Sequence, residues 1–445
     1  MTRIAGSLVS LEMLALWLLE MALSFCLACV LLSAEPFGAA LQPAVVNHAL
    51  ILSLTVGLTA SAAGLYRLEV FRRTRSMLLN TALGGIVAFP AAWVVSVALG
   101  LNADLLLGYD ALWPLTIVVT WVAMLFATRL LFLAAVRSNL FLRRVAVLGP
   151  IGSVSATVAA VRGGQENFIE IVDIAGAGLA PAAMRRAGIH DLVASQAAYS
   201  SLTPTALASF RASGVTVESE MQFWERCLKR VDVAHLDADW AASLDVARGG
   251  WAQAVVNRLG DICTSLALLA LTLPLMLVVA VLVRLNSPGP VLYCQERVGL
   301  GGKAFTLLKF RSMKVDAEAR GPVWAKQRDP RVTKIGSFMR RTRIDELPQL
   351  FNVLRGQMSF IGPRPERPHF VEQLAEVIPF YRERARVKPG LTGWAQVNFP
   401  YGASVEDARG KLSYDLYYVK HRSILLDLSI LFATVRVILF QEGSR

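Results

Sequence analysis

Apolar residues fill four long stretches near the start of the chain, at about 7–33, 48–66, 82–100 and 112–135. Each can cross a hydrocarbon core of ~30 Å at ~1.5 Å per residue. The first is too long, and carries Glu20 too deep, for a cleaved signal peptide. The intervening loops alternate in charge. The first and third hold no Lys or Arg, the second holds Arg67, Arg72, Arg73 and Arg75, and Arg137, Arg143 and Arg144 follow the fourth stretch. The positive-inside rule then expects the N-terminus, and everything beyond Arg137, to start in the cytosol.

Beyond Arg143 the pattern changes. "RRVAVLGPIGSVSATVAAV" reads as a strand, a turn and a helix, and "FIEIVDIAG", "HDLVAS" and "SGVTVESE" read as three more strands between Ala-rich helices. Such alternation predicts a small parallel, Rossmann-like α/β domain over 141–245. Its first turn offers Gly149 and Gly152 but no GxGxxG, so a structural or regulatory module is expected there rather than a nucleotide site.

A fifth apolar stretch, 259–285, carries Pro274 near its middle. An interior proline removes one helical hydrogen bond, which predicts a kink, and Thr272 is placed to take a freed carbonyl. A true span would move the remainder outside; a re-entrant helix would return it to the cytosol. Near the end, "SILLDLSILFATVRVILF" is interrupted by Asp427 and Arg436, so it is expected to lie on the membrane surface rather than cross.

Composition agrees with a membrane protein: of 445 residues 55% are hydrophobic, and the mean hydropathy is +0.49. Charge adds something new. Nearly all of the net +12 lies between Asn286 and Arg445, which suits phosphate esters or anionic lipid headgroups. Nucleic acid is not an expected partner, because aromatic residues are sparse among the basic ones. The five cysteines form neither a disulfide framework nor a zinc quartet.

The chemistry concentrates in "TRIDELPQLFNVLRGQMSFIGPRPERP". Asp345 and Glu346 stand together before a short helix that starts near Pro348 and stops at Gly356. Helix capping alone would explain two acids there. Their surroundings ask for more: Arg340, Arg341 and Arg343 precede them, Arg364 is held between two prolines, Lys309 and Arg311 lie upstream in "KFRSM", and Arg382, Arg384, Arg386 and Lys388 lie downstream. Such cations suit a diphosphate, and a carboxylate among them suits a nucleophile or a Mg²⁺ ligand.

The stretches "SPGPVLYCQERVGLGGKAFTLLKFRSM", "DPRVTKIGSFMRRTRIDELPQLFNVLRGQMSFIGPRPERP", "RVKPGLTGWAQVN" and "KLSYDLYYVKHRSILLDLSILFATV" together resemble the bacterial sugar transferases, the polyprenyl-phosphate glycosyl-1-phosphate transferases, over about 256–440. The preceding part resembles that of the large members, with four transmembrane helices and a Rossmann-like domain. The resemblance implies three parts: a four-helix membrane domain at 1–140, a cytosolic Rossmann-like domain at 141–245, and a mainly helical monotopic catalytic domain at 246–445. It also implies that 259–285 is re-entrant and broken at Pro274. Leu273 stands where the family often has Ser.

The implied reaction moves a sugar-1-phosphate from a UDP-sugar to undecaprenyl phosphate, releasing UMP and starting assembly of a glycan such as an exopolysaccharide, O-antigen or capsule. Asp345 falls at the family's nucleophile, which forms a covalent phosphosugar intermediate, and Glu346 at the residue expected to bind Mg²⁺. Arg340, Arg364 and Lys309 fall at donor-phosphate positions. Arg311, Arg384, Lys388 and Gln396 are further candidates for donor contacts. The two histidines of this part, His369 and His421, are expected to be structural. The expected location is the bacterial inner membrane with the catalytic domain on the cytosolic face, and a homodimer is compatible with the large members. Two other classes remain open at this stage: a membrane-anchored nucleotide-sugar modifying enzyme, although its glycine loop and YxxxK pair are missing from the sequence, and a non-catalytic scaffold for glycan assembly.

Overall fold

A computed structural model describes residues 2–4, 7–9, 11–33, 43–62, 65–66, 74–101, 112–138, 140, 143–148, 169–173, 180–237, 240–242, 244, 251–314, 329–399, 402 and 404–440. The chain is mostly helical and falls into two compact units, whose main parts are Leu8–Leu228 and Lys229–Arg445.

The first unit begins with helices Leu11–Ser33, Pro43–Ala62, Thr74–Ala98 and Trp113–Arg137. Ala28, Leu32, Ala49, Leu52, Trp121 and Leu125 meet in their core. Leu18, Val30, Val94 and Leu131 point outward and are exposed. Helices apolar both inside and outside suit a lipid surround. Among the described residues four segments are long and apolar enough to cross a membrane: Met13–Ser33, Pro43–Ser61, Trp113–Val136 and, in the second unit, Gln253–Asn286. The predicted span at 82–100 falls on helix Thr74–Ala98, where the apolar stretch described is the shorter Ala88–Ala98. Arg67, Arg72 and Arg73, which set the expected orientation, lie outside the described residues.

Glu20 and Arg129 are buried in this bundle. Arg129 donates to Glu20 through Nε at 3.1 Å and Nη2 at 3.0 Å, and its Nη1 donates to Thr81. The hydroxyls of Tyr66 and Thr128 also donate to Glu20. A buried ion pair is sustained by its partners, and removing one charge strands the other at a cost of about 3–5 kcal/mol. Glu20→Gln is therefore expected to lower the melting temperature of the detergent-solubilised protein, and Glu20→Gln combined with Arg129→Met to recover most of the loss. Equal melting of the single variant and wild type would refute the pair's role.

The four predicted strands form one parallel sheet. Arg143–Leu148 lies between Ile169–Asp173 and Ile189–Ala194, and Thr216–Ser219 adds outside the latter. Val145, Ala146, Leu192 and Val193 are buried in it, as near-continuous apolar runs in a parallel sheet require. Gly149 and Gly152 lie outside the described residues.

The second unit is built on helix Trp251–Asn286, which runs unbroken for 36 residues with Pro274 inside it. Thr272 does donate to a carbonyl, but to that of Leu268 at 2.7 Å. The carbonyl that loses its N–H donor to Pro274 is that of Ala270, four residues back. Against the helix pack an antiparallel hairpin, Leu292–Val298 with Ala304–Phe310, and a set of short helices. Strand Ser359–Ile361 pairs in parallel with Gly390–Thr392. There Gly362 lets two backbones touch, since a Cβ would lie 2.3 Å from the Lys388 carbonyl. Helix Ile424–Phe440 closes the described chain. Its Asp427 accepts from the Tyr418 hydroxyl at 2.8 Å, so that charge is held by protein.

Candidate active site

Helix Lys334–Thr342 ends at Arg343, which takes a left-handed conformation (φ 59°) and turns the chain directly into a 3₁₀ turn, Ile344–Glu346. A non-glycine residue rarely adopts that conformation, and such strain gathers at functional sites. The turn leads through Pro348 into helix Gln349–Leu354, and Gly356 (φ 78°) stops it. Thus "DELPQLFNVLRG" forms a turn and then a helix, and Asp345 makes no capping hydrogen bond.

Both carboxylates point inward: Asp345 is 7% exposed and Glu346 9%. Their surroundings divide them. Glu346 Oε1 accepts from Arg364 Nη2 at 2.7 Å and Lys309 Nζ at 3.1 Å, with Arg343 Nη1 at 3.7 Å. Burial pushes its carboxyl up, but Arg364, Lys309 and Arg343 together hold it well below the usual range. Asp345 Oδ1 is buried and has no hydrogen-bond partner among the described residues. Burial, then the adjacent Glu346 charge, raise its carboxyl above the usual range, against the pull of Lys309, Arg340 and Arg343. A buried, unpartnered carboxylate oxygen costs stability, so Asp345 keeps one oxygen unsatisfied beside a Glu346 whose Oε1 receives two donors.

The cage is set by neutral groups. Asn352, fully buried, donates to Thr306 O and to Gln357, and accepts from Leu308 N. It thereby fixes the strand that carries Lys309 against the helix that follows the carboxylates. Arg340 Nε donates to Ser312 at 2.9 Å. Arg364 lies on a wall of a cleft of about 430 Å³, formed by the Gly299–Gly302 turn, the Pro363–Glu366 segment and the Arg382–Val387 segment. The engaged face of Arg364 meets Glu346, and the same residue borders the cleft.

The structure therefore brings together Asp345, Glu346, Lys309, Arg340 and Arg364. Arg311 goes elsewhere: its strand ends at Phe310, and its guanidinium donates to Pro288 O, Ser287 O and Ser287 Oγ. Arg384 borders the cleft but is committed to Asp415, the Tyr381 hydroxyl and the Arg364 carbonyl. It positions Arg364. Arg384→Lys, which keeps charge but loses the planar fork, is expected to lower kcat/KM about 10- to 100-fold. Wild-type turnover in that variant would show the brace to be idle. Lys388 stands with Arg258, Asp261 and Arg422 instead. Gln396 donates to Leu391 O, and its Oε1 is buried without a partner among the described residues. His369 rests on Phe370 and the buried His421 on Tyr417. Sequence reasoning passed over Arg343 as a strained corner and Asn352 as a brace. A signal existed only for Arg343, in its place between a helix and the acids.

Among the described residues no cluster of three or more His, Cys, Asp or Glu side chains could hold a metal ion alone. Mg²⁺ often needs only one or two carboxylates beside phosphate oxygens. Glu346, whose two donors both bond Oε1, fits that requirement once a diphosphate is present.

Residues 252–441 match the family of bacterial sugar transferases. A UDP-N-acetylgalactosamine-undecaprenyl-phosphate N-acetylgalactosaminephosphotransferase of Aeromonas hydrophila is 46% identical over 224 residues, 50% of this chain and 52% of that protein. A UDP-glucose:undecaprenyl-phosphate glucose-1-phosphate transferase of Escherichia coli is 44% identical over 183 residues, 41% of this chain and 39% of that protein. The matched part thus spans about half, or less, of these two relatives. An exopolysaccharide production protein of Rhizobium leguminosarum is 43% identical over 190 residues, 41% of this chain but 94% of that protein. With 94% of the Rhizobium protein covered at 43% identity, and the family match spanning the Asp345–Glu346 pair, this chain belongs to the bacterial sugar transferase family.

Proposed function

We propose that the protein transfers a sugar-1-phosphate from a UDP-sugar to undecaprenyl phosphate. The observation that carries this is the buried, unpartnered Asp345 oxygen, set beside a guanidinium and ammonium cage of which one member, Arg364, also lines a cleft. In the first step an Asp345 oxygen attacks the sugar-bearing phosphorus. The bond from that phosphorus to the bridging oxygen breaks, and UMP leaves with the electron pair. In the second step an oxygen of the lipid phosphate attacks the same phosphorus. The bond to Asp345 breaks and its carboxylate is restored. Burial raises the free energy of the ionised nucleophile, and Lys309, Arg340 and Arg364 offset charge on the donor. Mg²⁺, held by Glu346 with donor oxygens, would supply further neutralisation of the diphosphate.

The four N-terminal helices would sit in the bacterial cytoplasmic membrane, with the Rossmann-like sheet and the transferase unit on the cytosolic face, where nucleotide sugars are made. A re-entrant course for helix Trp251–Asn286 is supported by contacts at both of its ends. Arg258 and Asp261 bond Val353 O, Leu354 O, Ser359 and Phe360. Met276, Val279 and Val283 pack on Phe310 and Met339 of the same unit. The bend that such a course needs would fall at Pro274, where one helical hydrogen bond is missing.

The test is UMP release by purified protein with Mg²⁺, undecaprenyl phosphate and a panel including UDP-glucose and UDP-N-acetylgalactosamine. Lipid-dependent release with one donor is expected. No release from any UDP-sugar would reject the reading.

A further inference from the structure

Lys388 is the one sequence candidate that the structure sets in a different charged cluster, away from the carboxylate cage. Its Nζ makes no hydrogen bond or ion pair among the described residues. It lies 3.7 Å from the point where a Gly356 Cβ would be, and Arg258 Cζ lies 3.6 Å from the same point. Gly356 itself is left-handed, so no side chain is readily placed between the two cations. Arg258 grips the end of helix Gln349–Leu354 through two carbonyls. Arg422 approaches from the turn before helix Ile424–Phe440: with the Asn257 amide turned to face it, that oxygen accepts from Nη2 at 2.7 Å and Nε at 3.3 Å. Two carboxylates stand nearby, and both are engaged. Asp261 accepts from Ser359 and Phe360, and Asp427 accepts from Tyr418. Burial and the charges of Arg258 and Arg422 lower the Lys388 ammonium, with Asp261 opposing. Arg258 and Arg422 are spent on neutral acceptors and Asp261 offsets part of the charge, which leaves Lys388 as the cation with no bonded partner among the described residues.

The rim of this cluster is apolar. Val255, Val256 and Leu259 on the helix of Arg258, Phe351 on the helix it grips, and Ile424 beside Arg422 are all exposed. A cationic cluster with exposed apolar side chains on the same elements, at the start of a membrane-length helix, matches a group with a charged head and a hydrocarbon tail. Free nucleotide would leave that rim in water.

We infer that Lys388, Arg258 and Arg422 bind the phosphate of a lipid, at a site separate from the Asp345–Glu346 cage. Lys388 is the reporter, since it supports no other contact. The site joins the reaction centre in two places: the Lys388 carbonyl lies against Gly362, two residues before Arg364, and Arg258 bonds the end of the helix that follows the carboxylates. The phosphate could belong to the polyprenyl acceptor or to a bulk anionic phospholipid, and the two sources are separable. This inference goes beyond the proposed transfer and does not require it.

The test is equilibrium binding to the full-length protein in neutral detergent without UDP-sugar, using undecaprenyl phosphate, undecaprenol or phosphatidylglycerol, read by native mass spectrometry. Lys388→Gln is expected to weaken phosphate-bearing lipid about tenfold, the scale of one lost charge-assisted hydrogen bond. Undecaprenol should be unaffected, and Lys388→Arg should retain affinity. A loss confined to undecaprenyl phosphate assigns the site to the acceptor; an equal loss for phosphatidylglycerol assigns it to bulk lipid. Unchanged binding of both phosphate lipids, or an equal loss for undecaprenol, overturns it. Because no turnover is measured, these outcomes stand whether or not UMP release is found.

Discussion

Asp345→Asn is expected to lower sugar-phosphate transfer about 10³-fold or more, the scale on which a covalent nucleophile is lost, without lowering the melting temperature. The second half follows from its surroundings. Asp345 is buried with one oxygen unpartnered, and its carboxyl is raised by burial and by Glu346. A carboxyl raised in the fold contributes stability below its unfolded value and loses it as pH rises through the folded value. At neutral pH the ionised group therefore costs the fold, and a neutral amide removes that cost. Wild-type kcat/KM should also fall on acidification at a pH above the ordinary aspartate range, because the nucleophile must be ionised. Activity retained in Asp345→Asn would remove the nucleophile. A melting temperature several degrees lower would remove the stability argument.

Glu346→Gln is expected to do the opposite to the fold. Its carboxylate is held well below the usual range, and it receives hydrogen bonds from Lys309 and Arg364. A depressed acid contributes stability above its unfolded value and loses it as pH falls through the folded one. The amide leaves the cations facing one another in a half-buried cage. The loss is about 3–5 kcal/mol, or roughly 6–20 °C for a unit of this size. The Mg²⁺ requirement of turnover should rise as well. Melting within about 2 °C of wild type would show the cage to be loosely coupled. Together the two variants ask whether adjacent acids of similar intrinsic chemistry have been driven to opposite roles by position alone.

Much of this was legible in the sequence. Apolar run length marked helices Leu11–Ser33, Pro43–Ala62, Trp113–Arg137 and Trp251–Asn286, each long and apolar enough to cross a membrane, and alternation of strands with helices marked the parallel sheet, because both signals are local and repeat along the chain. The acids and the cations around them were visible as composition. What the sequence did not carry was which cation faces which acid. Arg311 sits two residues from Lys309, but the strand ends between them and turns it toward Ser287 and Pro288. Lys388 lies in the same basic run as Arg384, yet one braces Arg364 and the other joins Arg258, from a segment about 130 residues earlier in the chain. Thr272 was placed correctly as a carbonyl donor, but back-bonding one turn down the helix took it to Leu268.

Asn352 gives the reaction centre a further property. The side chain that fixes the strand of Lys309 to the helix after Asp345 is an amide, bonded at both its oxygen and its nitrogen. An amide carries no net charge and does not titrate. Neither ionic strength nor acidity acts on it directly. Salt and pH should therefore change how strongly the cage holds its anions while the frame around them keeps its dimensions. The ionic-strength dependence of turnover then reads out the charge on the substrate rather than any loosening of the protein that receives it.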